Sequence, residues 1–152
     1  MAAILENAKQ TISRILSDAA FIFTDNLDES ARPTNESWDA EGVSLQFFGT
    51  PAGELHMWVS KGFACYAAAN MLGLDDNSDE AGKKGIDALK ELLNMIVGNF
   101  ITSVYGDTPV FDLGLPKDLD REAMAADFTK TNTIWLEAEG NPILFTIDIH
   151  DK

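Results

Sequence analysis

The stretch Gly85-Ile86-Asp87-Ala88-Leu89-Lys90-Glu91-Leu92-Leu93-Asn94-Met95-Ile96-Val97-Gly98-Asn99-Phe100 has the apolar period of an α-helix. At about 100° per residue, Ile86, Leu89, Leu93, Ile96, Val97, Phe100 and the later Val104 form one broad arc suited to a core. The pattern predicts a helix from about Glu80 to Tyr105, stopped by Gly106. Away from the arc, Asp87, Glu91, Asn94 and Gly98 fall within roughly 60° of one another. Two carboxylates, a carboxamide and a bare backbone position thus share one exposed stripe. Asn and Gly are poor helix formers, each costing up to about 1 kcal/mol relative to Ala, and Gly82 and Gly85 add to that cost. Breaks in local rules are where functional sites are expected. A second reading makes the stripe a solvated face, with Gly98 present so that another helix can pack closely.

The rest of the chain supplies a sheet for this helix to cover. Upstream, Ile4, Leu5, Ala8, Ile12, Ile15, Leu16 and Ala19 predict an amphipathic helix over about residues 3–19. Residues 20–24 suit either its end or a strand, and 26–40, with Pro33, read as a loop. Val43, Leu45 and Phe47 alternate, as do Leu55, Met57 and Val59, across the turn chemistry of residues 49–53, which predicts a hairpin. Ser60 is read as the N-cap of an Ala-rich helix over 61–72 that Gly73 ends. Downstream, 109–115 read as a strand and 117–127 as an acidic connection. Residues 131–139 and 143–149 form a second predicted hairpin, turning at Gly140-Asn141-Pro142. Grouped strands and separate long helices predict an α+β fold with a largely antiparallel sheet.

The chain has 152 residues, which argues for a single domain over 1–152. Apolar residues make up 45% and charged residues 24%, which excludes a disordered chain. Eleven Lys and Arg against 25 Asp and Glu give a formal charge of −14, so nucleic acid and anionic membrane are poor partners. Cys65, the only cysteine, cannot form an internal disulfide, and its apolar surroundings read as core packing. The amino terminus lacks an apolar signal core and no run is long enough to span a bilayer, so the expected compartment is the cytoplasm.

Several chemistries lack their carriers. His56 and His150 have no neighbouring ligand pattern, so no metal site is expected. Asp75, Asn77 and Asp79 alternate as in a calcium loop, but Glu80 and Ile86 stand where that loop needs Gly and a terminal acid. Ser78 or Asp79 is better read as the cap of the following helix. Neither a phosphate-cradling glycine loop nor a Gly-x-Ser-x-Gly elbow occurs.

The segment Asp87 to Asn99, with Glu91 four residues after Asp87, Asn94 three further, and then an apolar-Gly-Asn run, resembles the signature helix of the CheC/FliY/CheX chemotaxis phosphatases. Asn70-Met71-Leu72-Gly73 also resembles the end of the helix preceding that signature. The likeness covers roughly residues 41–116. It departs from the family in two places. Pro116 falls about one residue short of the downstream proline, and the first helix carries Glu6 followed by Lys9 instead of a second Glu-x-x-Asn. A single site on the second half resembles the CheX branch more than CheC.

This resemblance implies a CheX-like fold and hydrolysis of the aspartyl phosphate of a CheY-like response regulator. Glu91 and Asn94 are the implied catalytic pair, Glu91 pairing with the regulator's active-site lysine and Asn94 holding water. Asp87 and Gly98 are implied to meet the partner. The regulator would bring Mg²⁺, so no cofactor of the chain's own is expected. A homodimer is also implied, with the apolar strand 143–147 offering an interface. The competing function is a binding module that docks a regulator through the same stripe without catalysis.

Overall fold

The computed structural model of the chain describes residues 1–75 and 78–150. Helix α1, Ala2–Ala20, buries Ala8, Ile12, Ile15 and Leu16, the periodic residues that define its apolar side. It ends where Phe21 takes a left-handed conformation (φ 55°), and Phe21 and Ile22 donate to the carbonyls of Ser17 and Leu16. A two-residue strand, β1 (Asp25–Asn26), and a short 3₁₀ turn at Glu29–Ala31 follow.

Strands β2 (Ala40–Phe48) and β3 (Ala52–Ser60) form the first hairpin, with Val43 opposite Met57 and Leu45 opposite Leu55. Alternation sends Val43, Leu45, Phe47, Leu55, Met57 and Val59 into the main core. It sends Trp58 to a second apolar cluster with Trp38, Met124 and Leu144. Ser60 is the last residue of β3, paired with Ala40, and not a helix cap. Its hydroxyl is occupied by the Trp38 indole N–H, which donates to it at 2.9 Å. Helix α2 (Phe63–Leu72) instead starts after Gly62, and Gly73 (φ 69°) ends it as expected.

Helix α3, Asp79–Tyr105, starts with the Ser78 hydroxyl accepting from the Ala81 N–H at 3.1 Å. Asn77 of the calcium-like pattern lies outside the described residues. Gly85 sits where α3 crosses α2: a Cβ there would meet the Ala64 Cβ at 3.1 Å. Side chains from α1, α2 and α3 close over the main core on one face of the sheet.

Three expectations are corrected beyond α3. Only Asp112–Leu113 of the 109–115 segment is a strand, β4: Phe111 before it packs edge-on to Phe47 (6.1 Å between centroids), and after it the Gly114 N–H still donates to the Gln46 carbonyl of β2 at 2.8 Å before the chain leaves the ladder. The acidic connection contains strand β5 (Lys117–Leu119) and helix α4 (Arg121–Asp127), whose cap Asp120 accepts from the Ala123 N–H at 2.9 Å. The second hairpin, β6 (Thr133–Ala138) and β7 (Asn141–His150), turns at Glu139-Gly140. Both turn residues have positive φ, 52° and 76°, as a tight two-residue turn between twisted strands requires.

The sheet has seven strands in the order β1-β6-β7-β3-β2-β4, with β5 also on β2, and every pairing is antiparallel. This is the α+β fold read from the sequence. Strand β7 lies between β6 and β3, with Ile143, Leu144, Phe145 and Ile147 buried. Residues 143–147 are therefore sheet core, and no free edge remains there for a second chain.

Candidate functional site

The core arc of α3 holds the helix rigidly: Leu89, Leu92, Leu93, Ile96, Val97 and Phe100 are fully buried. Leu92 completes the arc read from the sequence, while Ile86 and Val104 are its half-buried margins. Asn99, exposed, folds back along the helix. Its Nδ2 donates to the Met95 carbonyl at 2.8 Å, and Arg14 of α1 donates to its Oδ1 at 3.4 Å. Asn7 donates to Ser103 at 2.8 Å, a second tie between α1 and α3.

On the opposite side of α3, Asp87 and Glu91 are exposed and Asn94 and Gly98 are half-buried, so the four residues form the expected surface stripe. Among the described residues, no hydrogen bond or ion pair engages the side chains of Asp87, Glu91 or Asn94. The adjacent cation, Lys90, is taken: its Nζ lies 2.7 Å from Asp118 Oδ1 on β5. That pairing links β5 to α3 and keeps the Lys90 ammonium on Asp118, away from Glu91. Gly98 has nothing within 4 Å of where a Cβ would stand, so it does not serve close packing within the chain. That role belongs to Gly85.

Hollows flank the stripe at both ends, one mainly apolar and one mixed. One, about 260 Å³, is lined by Met71, Leu72, Lys84, Asp87, Ala88 and Glu91. The other, also about 260 Å³, runs from Gly98 and Ile101 to Pro109, Phe111 and Leu113. A larger groove of about 360 Å³, lined among others by Leu5, Lys9, Arg32 and Trp135, shares no residue with the stripe. An acid and an amide one turn apart, unengaged and backed by a rigid helix, can grip a cation and orient a small polar molecule together.

A buried charge network escaped the sequence reading. His56 Nδ1 is 2.7 Å from Asp127 Oδ2, and Nε2 is 2.7 Å from Glu54 Oε2. The Trp58 indole N–H donates to Asp127 Oδ2 at 2.7 Å, and Lys130 Nζ lies 2.9 Å from both Asp127 Oδ1 and Asp148 Oδ2. Burial opposes the charged form of His56, but hydrogen bonds to Asp127 and Glu54 outweigh it and hold the imidazole above its ordinary value. Burial opposes ionised Asp127 too, and the bonds from His56, Trp58 and Lys130 hold its carboxyl below the usual range. The alternation Glu54-x-His56-x-Trp58 was the available signal, since it places all three on one sheet face. The network tethers α4 and the Lys130 segment to β3 and β7 and shares no residue with the stripe. Among the described residues, no group of His, Cys, Asp and Glu side chains could hold a metal ion. Cys65 is half-buried, less enclosed than Ala64 or Ala67, and no helix among the described residues is long and apolar enough to cross a membrane.

A seven-stranded antiparallel sheet covered by helices, the longest of which carries an acid and an amide one turn apart on its outer side, defines an α+β domain. The chain belongs to the chemotaxis phosphatase CheX family, whose sequence model matches residues 42–137. No curated protein matches the sequence. Among solved structures, CheX of Borrelia burgdorferi, in complex with CheY, BeF₃ and Mg²⁺, aligns with a TM-score of 0.69 at 21% identity, over 96% of this chain and 97% of that one. CheX of Desulfovibrio desulfuricans gives 0.71 at 16% identity, over 97% and 99%. CheX of Vibrio vulnificus gives 0.66 at 15%, also over 97% and 99%. At these identities the likeness establishes a shared fold.

Proposed function

We propose that residues 1–152 act as one CheX-like unit that hydrolyses the aspartyl phosphate of a CheY-like response regulator. The observation that carries this reading is the Glu91–Asn94 pair on α3, an exposed acid and a half-buried amide one turn apart with no side-chain partner among the described residues. It is supported by family membership and by the similar Borrelia protein, which was captured with CheY, BeF₃ and Mg²⁺.

An acyl phosphate is already activated, so the difficulty lies in holding water in line behind phosphorus. The water oxygen bonds to phosphorus, the regulator's aspartate leaves as carboxylate, and inorganic phosphate departs. Asn94 suits the positioning role because its carboxamide donates and accepts without placing negative charge beside the phosphoryl group. Glu91 forms a charge-assisted hydrogen bond to the regulator's lysine and fixes the helix against the phosphorylated site. Asp87 extends the acidic face towards the partner, and Gly98 admits its backbone closely. Mg²⁺ remains a ligand of the regulator and neutralises phosphoryl charge there.

The proposal includes a cytoplasmic location, where the regulator is phosphorylated, and a homodimer. Because β7 is internal, that dimer uses a surface other than residues 143–147, and the mass in solution tests it. The deciding experiment follows phosphate loss from the phosphorylated regulator with wild type and with Asn94→Ala. Acceleration by wild type alone supports hydrolysis at this site, and equal acceleration by both overturns it.

A further inference from the structure

We propose that the hollow between the end of α2 and α3 seats a long basic side chain of the regulator, a lysine or arginine outside its phosphorylation site. This inference rests on the reading of α3 as the docking surface.

The hollow exists because two elements diverge over a small residue. Gly73 turns the chain away after Leu72, leaving Met71 and Leu72 as an apolar wall, with Leu72 52% exposed. Ala88, nearly buried, forms the floor, and its single methyl leaves the space open. The volume, about 260 Å³, falls below the 300–1,000 Å³ of pockets for drug-sized ligands and suits a single side chain.

The rim determines which side chain. Asp87 and Glu91 stand on it with no cation paired to them among the described residues, against the single ammonium of Lys84 on the rim. A purely apolar occupant would desolvate two carboxylates without compensation. Lysine and arginine instead lay an aliphatic stem along an apolar wall and keep a charged head at the edge. With Glu91 engaged by the phosphorylation-site lysine, Asp87 receives this second head. The chain's net charge of −14 has the sign that draws such a segment in.

Stem and head belong to one side chain, so their contributions are coupled. The test measures binding of the regulator's receiver domain, loaded with BeF₃ and Mg²⁺, to wild type, Leu72→Ser, Asp87→Asn and the double variant. Each single change is expected to raise Kd about fivefold, the scale of a real interface contact. The double is expected to raise it by much less than the product of the singles. Asp87→Asn is also expected to reduce the salt dependence of binding. Multiplicative effects, an effect of Leu72→Ser without one of Asp87→Asn, or no effect of either overturns the proposal. So does a change in the mass of the free protein with Leu72→Ser, which would make the occupant a second copy. Melting curves of the variants control for folding. Hydrolysis by Asn94→Ala, measured alongside, separates the readings. If Asn94→Ala is inactive while binding ignores Leu72 and Asp87, the seat alone fails; if Asn94→Ala is fully active, the site reading fails whatever the binding shows.

Discussion

Gly85 of α3 crosses Ala64 of α2 so closely that a Cβ on the glycine would lie 3.1 Å from the alanine Cβ and 3.2 Å from its backbone carbon. At Gly98 of the same helix a Cβ would meet nothing within 4 Å. The two glycines lower helix propensity alike and have opposite reasons to be there. Gly85→Ala is expected to destabilise the fold by about 1–3 kcal/mol through overpacking against backbone. Gly98→Ala is expected to stabilise it by up to about 1 kcal/mol, because alanine favours the helix and meets nothing. The same substitution is expected to slow hydrolysis of the regulator's phosphate. Thermal melts set beside activity show the opposed signs, with Gly82→Ala, also in open space, as the control that stabilises without loss of activity.

Glu91 and Asn94 separate docking from chemistry. Asn94→Ala is expected to lower hydrolysis by about 100-fold or more, the scale lost when a reacting group is misplaced, while the receiver still binds. Asn94→Asp is expected to be at least as damaging, because it sets a negative charge against the phosphoryl group. Glu91→Lys is expected to abolish binding through like-charge contact with the receiver's lysine. Titration of the BeF₃-loaded receiver and phosphate release, run on the same variants, distinguish catalysis from docking alone.

On the far side of the sheet, the His56 network makes stability depend on pH in a defined direction. Glu54 and Asp127 face the imidazole, and Trp58, Lys130 and Asp148 complete the group. The pKa of His56 is raised, so its contribution is complete below the ordinary value of about 6.5 and is lost as pH rises through the folded value. That of Asp127 is lowered, so its contribution is present above about 3.9 and is lost as pH falls through the folded value. The melting temperature is expected to decline on the alkaline side of His56 and again in strong acid. His56→Gln is expected to flatten the first decline. Asp127→Ala strands His56, Trp58 and Lys130 and is expected to cost about 3–5 kcal/mol, read by denaturant unfolding.

What the sequence disclosed divides along physical lines. Helices α1 and α3 run long enough for the 3.6-residue period to repeat, and the stripe was visible because it interrupts that period with Asn94 and Gly98. Helix α4, at seven residues, is shorter than two full turns of pattern, and only Asp120 marked it. The His56–Asp127 contact joins residues 71 apart, so no local rule reaches it. Ser60 suited a cap by residue type, but strand pairing and the Trp38 indole claimed it first. The run Ile143–Ile147 is equally apolar whether it is sheet core or interface, and only its two strand neighbours decide between them.

The Lys90–Asp118 pair links this framework to the stripe and allows electrostatics to be separated from folding. Both side chains reach solvent, with exposures of 29% and 66%, so the bridge adds at most about 1 kcal/mol to stability. Asp118→Ala is therefore expected to leave the melting temperature nearly unchanged. It frees the Lys90 ammonium, however, on the turn shared with Glu91 and Asn94, where it competes with the regulator's lysine for Glu91. Receiver affinity is expected to fall about two- to fivefold at low salt and by less at high salt, where exposed charges are screened. Lys90→Ala in the same background removes the competitor and is expected to restore binding. If Asp118→Ala weakened binding equally with and without Lys90, the loss would trace to displacement of β5 and not to charge, and titrations of the two variants at two ionic strengths decide between these causes.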